Sequence, residues 1–140
     1  MNDPAFAVVD SAMLLESFDE PIVIHRSFLP LAGSVNAALL LTWMITLTRE
    51  QEGVGADGWL CLTQADWAAE TGLSRYEQEA ARKALRTRGL IEERRSGMPA
   101  RLEMRVRAQV VAEALREQGR QRYGAYLDAR TQFERAGQSA

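Results

Sequence analysis

The sequence predicts a mainly helical α+β fold with a small antiparallel sheet, on three observations. An uncharged, strongly apolar run over residues 37–47 reads as a buried central helix. Thr63-Gln-Ala-Asp66 and Ser74-Arg-Tyr-Glu77 each set a capping hydroxyl three positions ahead of an acid, the pattern that opens a helix. Residues 101–107 then alternate, with Leu102, Met104 and Val106 on one side and Arg101, Glu103, Arg105 and Arg107 on the other, which is the period of a half-buried strand.

Taken in order, the chain starts with a short amphipathic run of Phe6, Val8, Val9, Met13, Leu14 and Leu15. Residues 21–25 are β-branched in character and suit a short strand or an extended arm. Ser34 is placed to cap a helix that runs through Leu47 and ends near residues 49–52. The 22 residues from 27 to 48 carry no charge, but Pro30, Gly33, Ser34 and Asn36 interrupt their first half. The remaining apolar stretch falls well short of the ~20 residues needed to span hydrocarbon.

Residues 53–58 match the spacing GxGxxG. A dinucleotide fingerprint must follow a strand and open a helix, so that its amides face the pyrophosphate. Here the glycines follow a helix and lead into the apolar residues 59–62, a short strand preceded by a tight turn at Asp57-Gly58. The helix opened by Thr63 stops at Gly72, and the one opened by Ser74 runs to Arg88 with Gly89 as its stop. Two helices joined by Thr71-Gly-Leu-Ser74 have helix-turn-helix spacing.

A strand over residues 90–95, a turn over 96–100 and the alternating strand complete a hairpin. Helix, helix, hairpin is the order of a winged helix-turn-helix, here with extra N- and C-terminal helices, and residues 59–62 would complete its small sheet. From residue 108 a helical pattern resumes near 108–118 and again near 121–135, with Gly119 and Gly124 weakening it, and residues 137–140 are expected to be disordered. The resulting organisation is an N-terminal segment over 1–33, a winged helix-turn-helix domain over 34–107 and a helical extension over 108–136. Leu115, Tyr123, Tyr126, Leu127 and Phe133 in that extension need a partner surface, either the N-terminal segment or a second copy in a homodimer.

Composition excludes several classes of chemistry. With 140 residues, 46% of them hydrophobic and 26% charged, the chain is an ordinary globular domain. One cysteine, Cys61, and one histidine, His25, provide neither a disulfide nor a zinc site. No paired carboxylates, nucleophile–base set or cofactor motif stands out, so no catalytic residue, metal or cofactor is expected and the chain does not read as an enzyme. The N-terminus lacks the basic region of a signal peptide, and a cytoplasmic location is expected.

A net charge of −2 argues against an anionic partner until its distribution is counted. Residues 1–73 hold two basic and ten acidic side chains, a net of −8. Residues 74–107 hold ten basic and five acidic, a net of +5, and residues 108–140 a net of +1. All but one of the 17 cations are arginines, whose fork suits phosphates and guanine edges. On a wheel of about 100° per residue, Ser74, Gln78, Ala81 and Leu85 share one side of the second helix. Arg75, Glu79, Arg82, Lys83 and Arg86 share another, with Tyr76 beside them.

That basic face suits a major groove, with the arginines on guanine and Tyr76 and Gln78 on phosphate or adenine. Ser74, Arg75, Tyr76, Gln78, Glu79, Arg82, Lys83 and Arg86 are therefore the candidate recognition residues. Arg94, Arg95, Arg101 and Arg105 on the hairpin are candidates for the neighbouring backbone or minor groove. The expected partner is double-stranded DNA, alongside a replication or transcription protein and no membrane. The alternative is a protein-interaction module using the acidic first half and the helical tail, without DNA readout.

The stretch 18–106 also resembles winged-helix DNA-binding proteins of phages, plasmids and integrated elements. The residues that carry the resemblance are 33–43, Gly58-Trp59, 70–79, Ala81-Arg82-Lys83, Leu85, Gly89-Leu90 and the turn at 97–102. It is similar to the DNA-binding heads of replisome-organiser and replication proteins. The resemblance implies sequence-specific DNA binding in bacterial transcription regulation or DNA replication.

Overall fold

The computed structural model describes residues 10–17, 20–50 and 54–139, so Phe6, Val8, Val9, Phe18 and Gly53 lie outside the described residues. The elements are α1 (Ser11–Ser17), α2 (Phe28–Ala32), α3 (Val35–Glu50), α4 (Gln64–Thr71), α5 (Arg75–Thr87), β1 (Ile91–Ser96), β2 (Arg101–Val106) and α6 (Ala108–Gln138). The architecture is mainly helical with a two-stranded antiparallel sheet, in winged-helix-like order.

α3 is the centre of the core. Ala37, Ala38, Leu39, Leu40, Leu41, Met44 and Leu47 are all buried, and the helix packs against α2, α4, α5 and β2. Ser34 caps it, its Oγ accepting from the Ala37 amide at 3.1 Å. Its buried Thr42 remains satisfied by donating from Oγ1 to the Ala38 carbonyl at 2.7 Å. Phe28 and Ala32 of α2 also belong to the core, so the packed unit begins ahead of Ser34. Residues 20–25 form no strand, and Ile24 packs on the core from an irregular segment.

Both capping boxes form. Thr63 Oγ1 accepts from the Asp66 amide at 3.1 Å while Asp66 accepts from the Thr63 amide at 2.9 Å. Ser74 and Glu77 repeat the exchange at the start of α5, with both bonds at 3.2 Å. Gly72 ends α4 with φ of 72°, a left-handed conformation in which a β-carbon would be strained. The chain can then reverse within three residues, and Leu73 in the turn is buried.

The expected strand over 59–62 reduces to single bridges. Leu60 exchanges two backbone hydrogen bonds with Met104, at 2.7 and 3.0 Å, and pairs with Val54 on its other side. The extended segment is short because Asp57 and Gly58 adopt φ of 67° and 80° just before it, and Thr63 already serves as the cap of α4 after it.

The tail also differs from expectation. Residues 108–138 form one continuous helix in place of two stretches, taking in Gly137 and Gln138 of the end expected to be disordered, while Ala140 lies outside the described residues. Each glycine costs about 1 kcal/mol relative to alanine, but arginine, glutamate, glutamine and alanine around them favour the helix. Arg120–Glu117 and Arg130–Glu134 pairs along the helix add support. Only Val111 of α6 is buried, with Val110 and Leu115 half-buried against the core. No helix among the described residues is long and apolar enough to cross a membrane.

Candidate nucleic-acid interface

The strand register decides which charges face α5. Ile91, Glu93 and Arg95 of β1 pair with Val106, Met104 and Leu102 of β2, so these six share the core-side face. Glu92, Arg94 and Ser96 pair with Arg105, Glu103 and Arg101 on the opposite face, although Arg101, the first residue of β2, still borders the cleft beside α5. Glu93 is thus carried toward α5, where its carboxylate accepts from Arg82 at 3.1 Å and also from Arg86.

On the outer face, Arg94 donates to Glu103 and Arg105 to Glu92, each at 2.7 Å. The same two guanidinium groups lie over the Trp59 ring at 4.0 and 4.5 Å from its centre. Arg105 further donates to the Asp57 carbonyl at 3.2 Å, tying the hairpin to the turn before Trp59. Arg107 pairs with Glu92 at 3.6 Å, and Arg75 with Glu79 at 3.5 Å.

Ion pairing therefore sorts the basic residues of the 74–107 segment. Lys83, Arg88, Arg95 and Arg101 are exposed and form no ion pair among the described residues. The most outward stripe of α5 is Tyr76, Ala80, Lys83 and Thr87, all exposed, and Tyr76 is 81% accessible. Ser74 is exposed but spends its hydroxyl on the cap. Arg75, Glu79 and Arg86 are exposed beside the stripe, whereas the Arg82 side chain is only 15% accessible and turns toward Glu93.

Gln78 is corrected outright as a DNA contact. It is 4% exposed and its Nε2 donates to the Leu73 carbonyl at 2.9 Å and the Gln64 carbonyl at 3.1 Å. Both carbonyls belong to the α4–α5 unit, so the amide is a fastener of the two-helix turn. Asn36 plays a related part by donating to Glu77 at 3.3 Å, which joins the start of α3 to the start of α5.

The capping bonds also set the acidity of their carboxylates. The Thr63 amide, aided by its hydroxyl, holds the Asp66 carboxyl below its ordinary value. The Ser74 hydroxyl and amide, with a smaller contribution from Asn36, do the same for Glu77.

Residues missed at the sequence level include Trp59, Glu92, Glu93 and Glu103, which decide where five arginines point. A signal was present for Glu93, since it shares strand parity with Ile91, and an acid on a core-side face requires a partner. The candidate dimer residues divide. Leu115 packs on the core, whereas Tyr123, Tyr126, Leu127 and Phe133 are exposed, with the two tyrosine rings stacked at 6.5 Å.

Between α5 and the hairpin lies a cleft of about 520 Å³, bordered by Arg75, Arg82, Arg95 and Arg101 and floored by core side chains. Cys61 opens onto it, while His25 lies apart with its ring edge-on to Phe28 at 5.4 Å.

No protein-family model and no curated protein matches this sequence. Among solved structures, one named as the N-terminal domain of a DNA binding protein is similar at 16% identity, with a TM-score of 0.44. That similarity covers 66% of this chain and 79% of the other.

Proposed function

We propose that the protein binds double-stranded DNA in a sequence-specific manner, laying α5 in the major groove and the β1–β2 hairpin along the adjacent backbone or minor groove. The observation that carries this reading is the placement of Lys83 on the outward stripe of α5 and of Arg95 and Arg101 on the hairpin. All three are exposed and free of ion pairs among the described residues, so their charge is available to phosphates. Tyr76, Arg75 and Arg86 flank the same surface. The resemblance of residues 18–106 to winged-helix proteins of phages and plasmids supports a role in transcription control or replication of a bacterial mobile element.

The test is a fluorescence-anisotropy titration against duplexes recovered from a random-sequence selection, repeated across salt concentrations. Each phosphate contact contributes about 0.9 to the log–log salt slope. A Lys83→Ala/Arg95→Ala/Arg101→Ala variant should lower that slope by up to ~2.7 while leaving the fold intact. Absence of binding at low salt, or an unchanged slope in the variant, overturns the reading.

A second copy of the chain is the partner proposed for α6, on the exposure of Tyr123, Tyr126, Leu127 and Phe133 along a single helix. Light scattering should give a dimer mass at micromolar concentration, and Tyr126→Ser/Phe133→Ser a monomer. The bound DNA sites should then have two-fold symmetry. A monomeric wild-type mass refutes the pairing.

A further inference from the structure

The cleft between α5 and the hairpin has two unlike parts. Its floor is partly apolar: Leu62 and Leu102 are half-buried over the buried Trp67 and Met104, beside the polar Thr63 and Gln64. Its rim carries four arginines and one acid: Arg75 is paired with Glu79 and Arg82 with Glu93, but Arg95 and Arg101 have no ion-pair partner among the described residues. The volume of about 520 Å³ lies within the range of small-molecule sites. A duplex offers its phosphates from a convex backbone and would meet the rim, leaving the floor unfilled.

We propose that this cleft binds an amphipathic organic anion, with a carboxylate or phosphate head on Arg95 and Arg101 and an aromatic or aliphatic body over Leu62 and Leu102. The guanidinium fork matches either head in a bidentate manner. The body removes the accessible parts of Leu62 and Leu102 from water, which a bare inorganic ion does not do. Because the head takes two cations that the DNA reading also uses, ligand and duplex compete, and each weakens the other by the same factor. This second step rests on the proposed DNA binding; occupancy of the cleft does not.

The experiment therefore begins without DNA. Calorimetric titrations of the full chain use decanoate, 1-naphthoate and uridine monophosphate, with inorganic phosphate as the head alone. At least one organic anion should bind more tightly than about 1 mM, at least about tenfold better than phosphate. Which of the three binds separates a carboxylate head from a phosphate head.

Arg95→Gln and Arg101→Gln should each weaken that binding about tenfold with unchanged circular dichroism, since both side chains are exposed. No binding by any organic anion, equal binding of phosphate, or indifference to both substitutions overturns the site. The bound anion at ten times its Kd should then raise the apparent DNA Kd about elevenfold. A calorimetric site with undiminished DNA affinity refutes the competition, and a calorimetric site in a protein that binds no duplex refutes only the DNA reading.

Discussion

The Arg82 guanidinium donates to the Glu93 carboxylate at 3.1 Å, joining the middle of α5 to the core-side face of β1. Both side chains are largely buried, at 15% and 12% accessibility, and Arg86 reaches the same carboxylate from the next turn. Removing the acid leaves Arg82 charged in a place with little water. Glu93→Gln should therefore lower stability by roughly 1–3 kcal/mol in thermal or urea denaturation, the cost of a partly buried charge losing its partner. The same substitution releases two cations toward DNA, so the folded variant should bind a duplex more tightly, with a steeper salt slope. A variant of undiminished stability contradicts the structural role of the pair, and one with weaker DNA binding contradicts the view that Glu93 restrains the arginines.

Gln78 provides a contrasting case, with a cost to stability and none to DNA binding. Its amide satisfies two carbonyls inside the α4–α5 turn, and leucine in its place would leave both without that donor. Gln78→Leu should destabilise the domain by about 1–3 kcal/mol. DNA affinity, measured where the variant remains folded, should stay within twofold of the parent. A large loss of affinity in a fully folded variant would mean that the side chain reaches the duplex after all.

Gln78 and Arg82 also mark where the sequence stops being informative. The caps at Thr63 and Ser74, the stop at Gly72 and the alternation of residues 101–107 are local devices, each decided by residues within a turn or two, and all of them form as the spacing predicts. Placement on the helix wheel puts Gln78 inward, but its chemistry suits a base or phosphate equally well. Only the carbonyls of Leu73 and Gln64, brought together by the turn, settle the matter. Arg82 depends on an acid eleven positions away in another element, and the register that aims Glu93 at α5 is not a property of either segment alone. The α6 glycines are a third case, in which a weak local penalty is outweighed over 31 residues.

The two capping boxes predict a specific acid response. Asp66 and Glu77 both titrate below their ordinary range in the folded chain because the cap groups of Thr63 and Ser74 bond the ionised carboxylates. A carboxyl lowered in the folded state contributes stability that is fully present above its unfolded value, about 4, and is lost as pH falls through the folded value. Urea midpoints should thus fall as pH drops below about 4, with an unchanged slope near neutrality. Asp66→Asn/Glu77→Gln should flatten that acid limb in a parallel titration. An acid limb identical to the parent's would show that the caps are not its source.

Glycines at two kinds of position should respond to alanine with opposite sign. Gly119 and Gly124 sit inside α6 in helical conformation, and a β-carbon at either meets nothing within 4 Å among the described residues. Alanine there should stabilise the helix by up to ~1 kcal/mol at each site, through the backbone freedom that glycine loses on folding. Amide hydrogen exchange across residues 116–130 should slow accordingly. A β-carbon at Gly72 likewise meets nothing within 4 Å among the described residues, but φ there is 72°. Gly72→Ala should cost about 1–2 kcal/mol despite that space, because the left-handed conformation itself penalises a β-carbon. The contrast separates backbone conformation from packing, since none of the three sites offers a clash. Equal effects at all three would mean that α6 and the end of α4 do not differ in backbone conformation at these glycines.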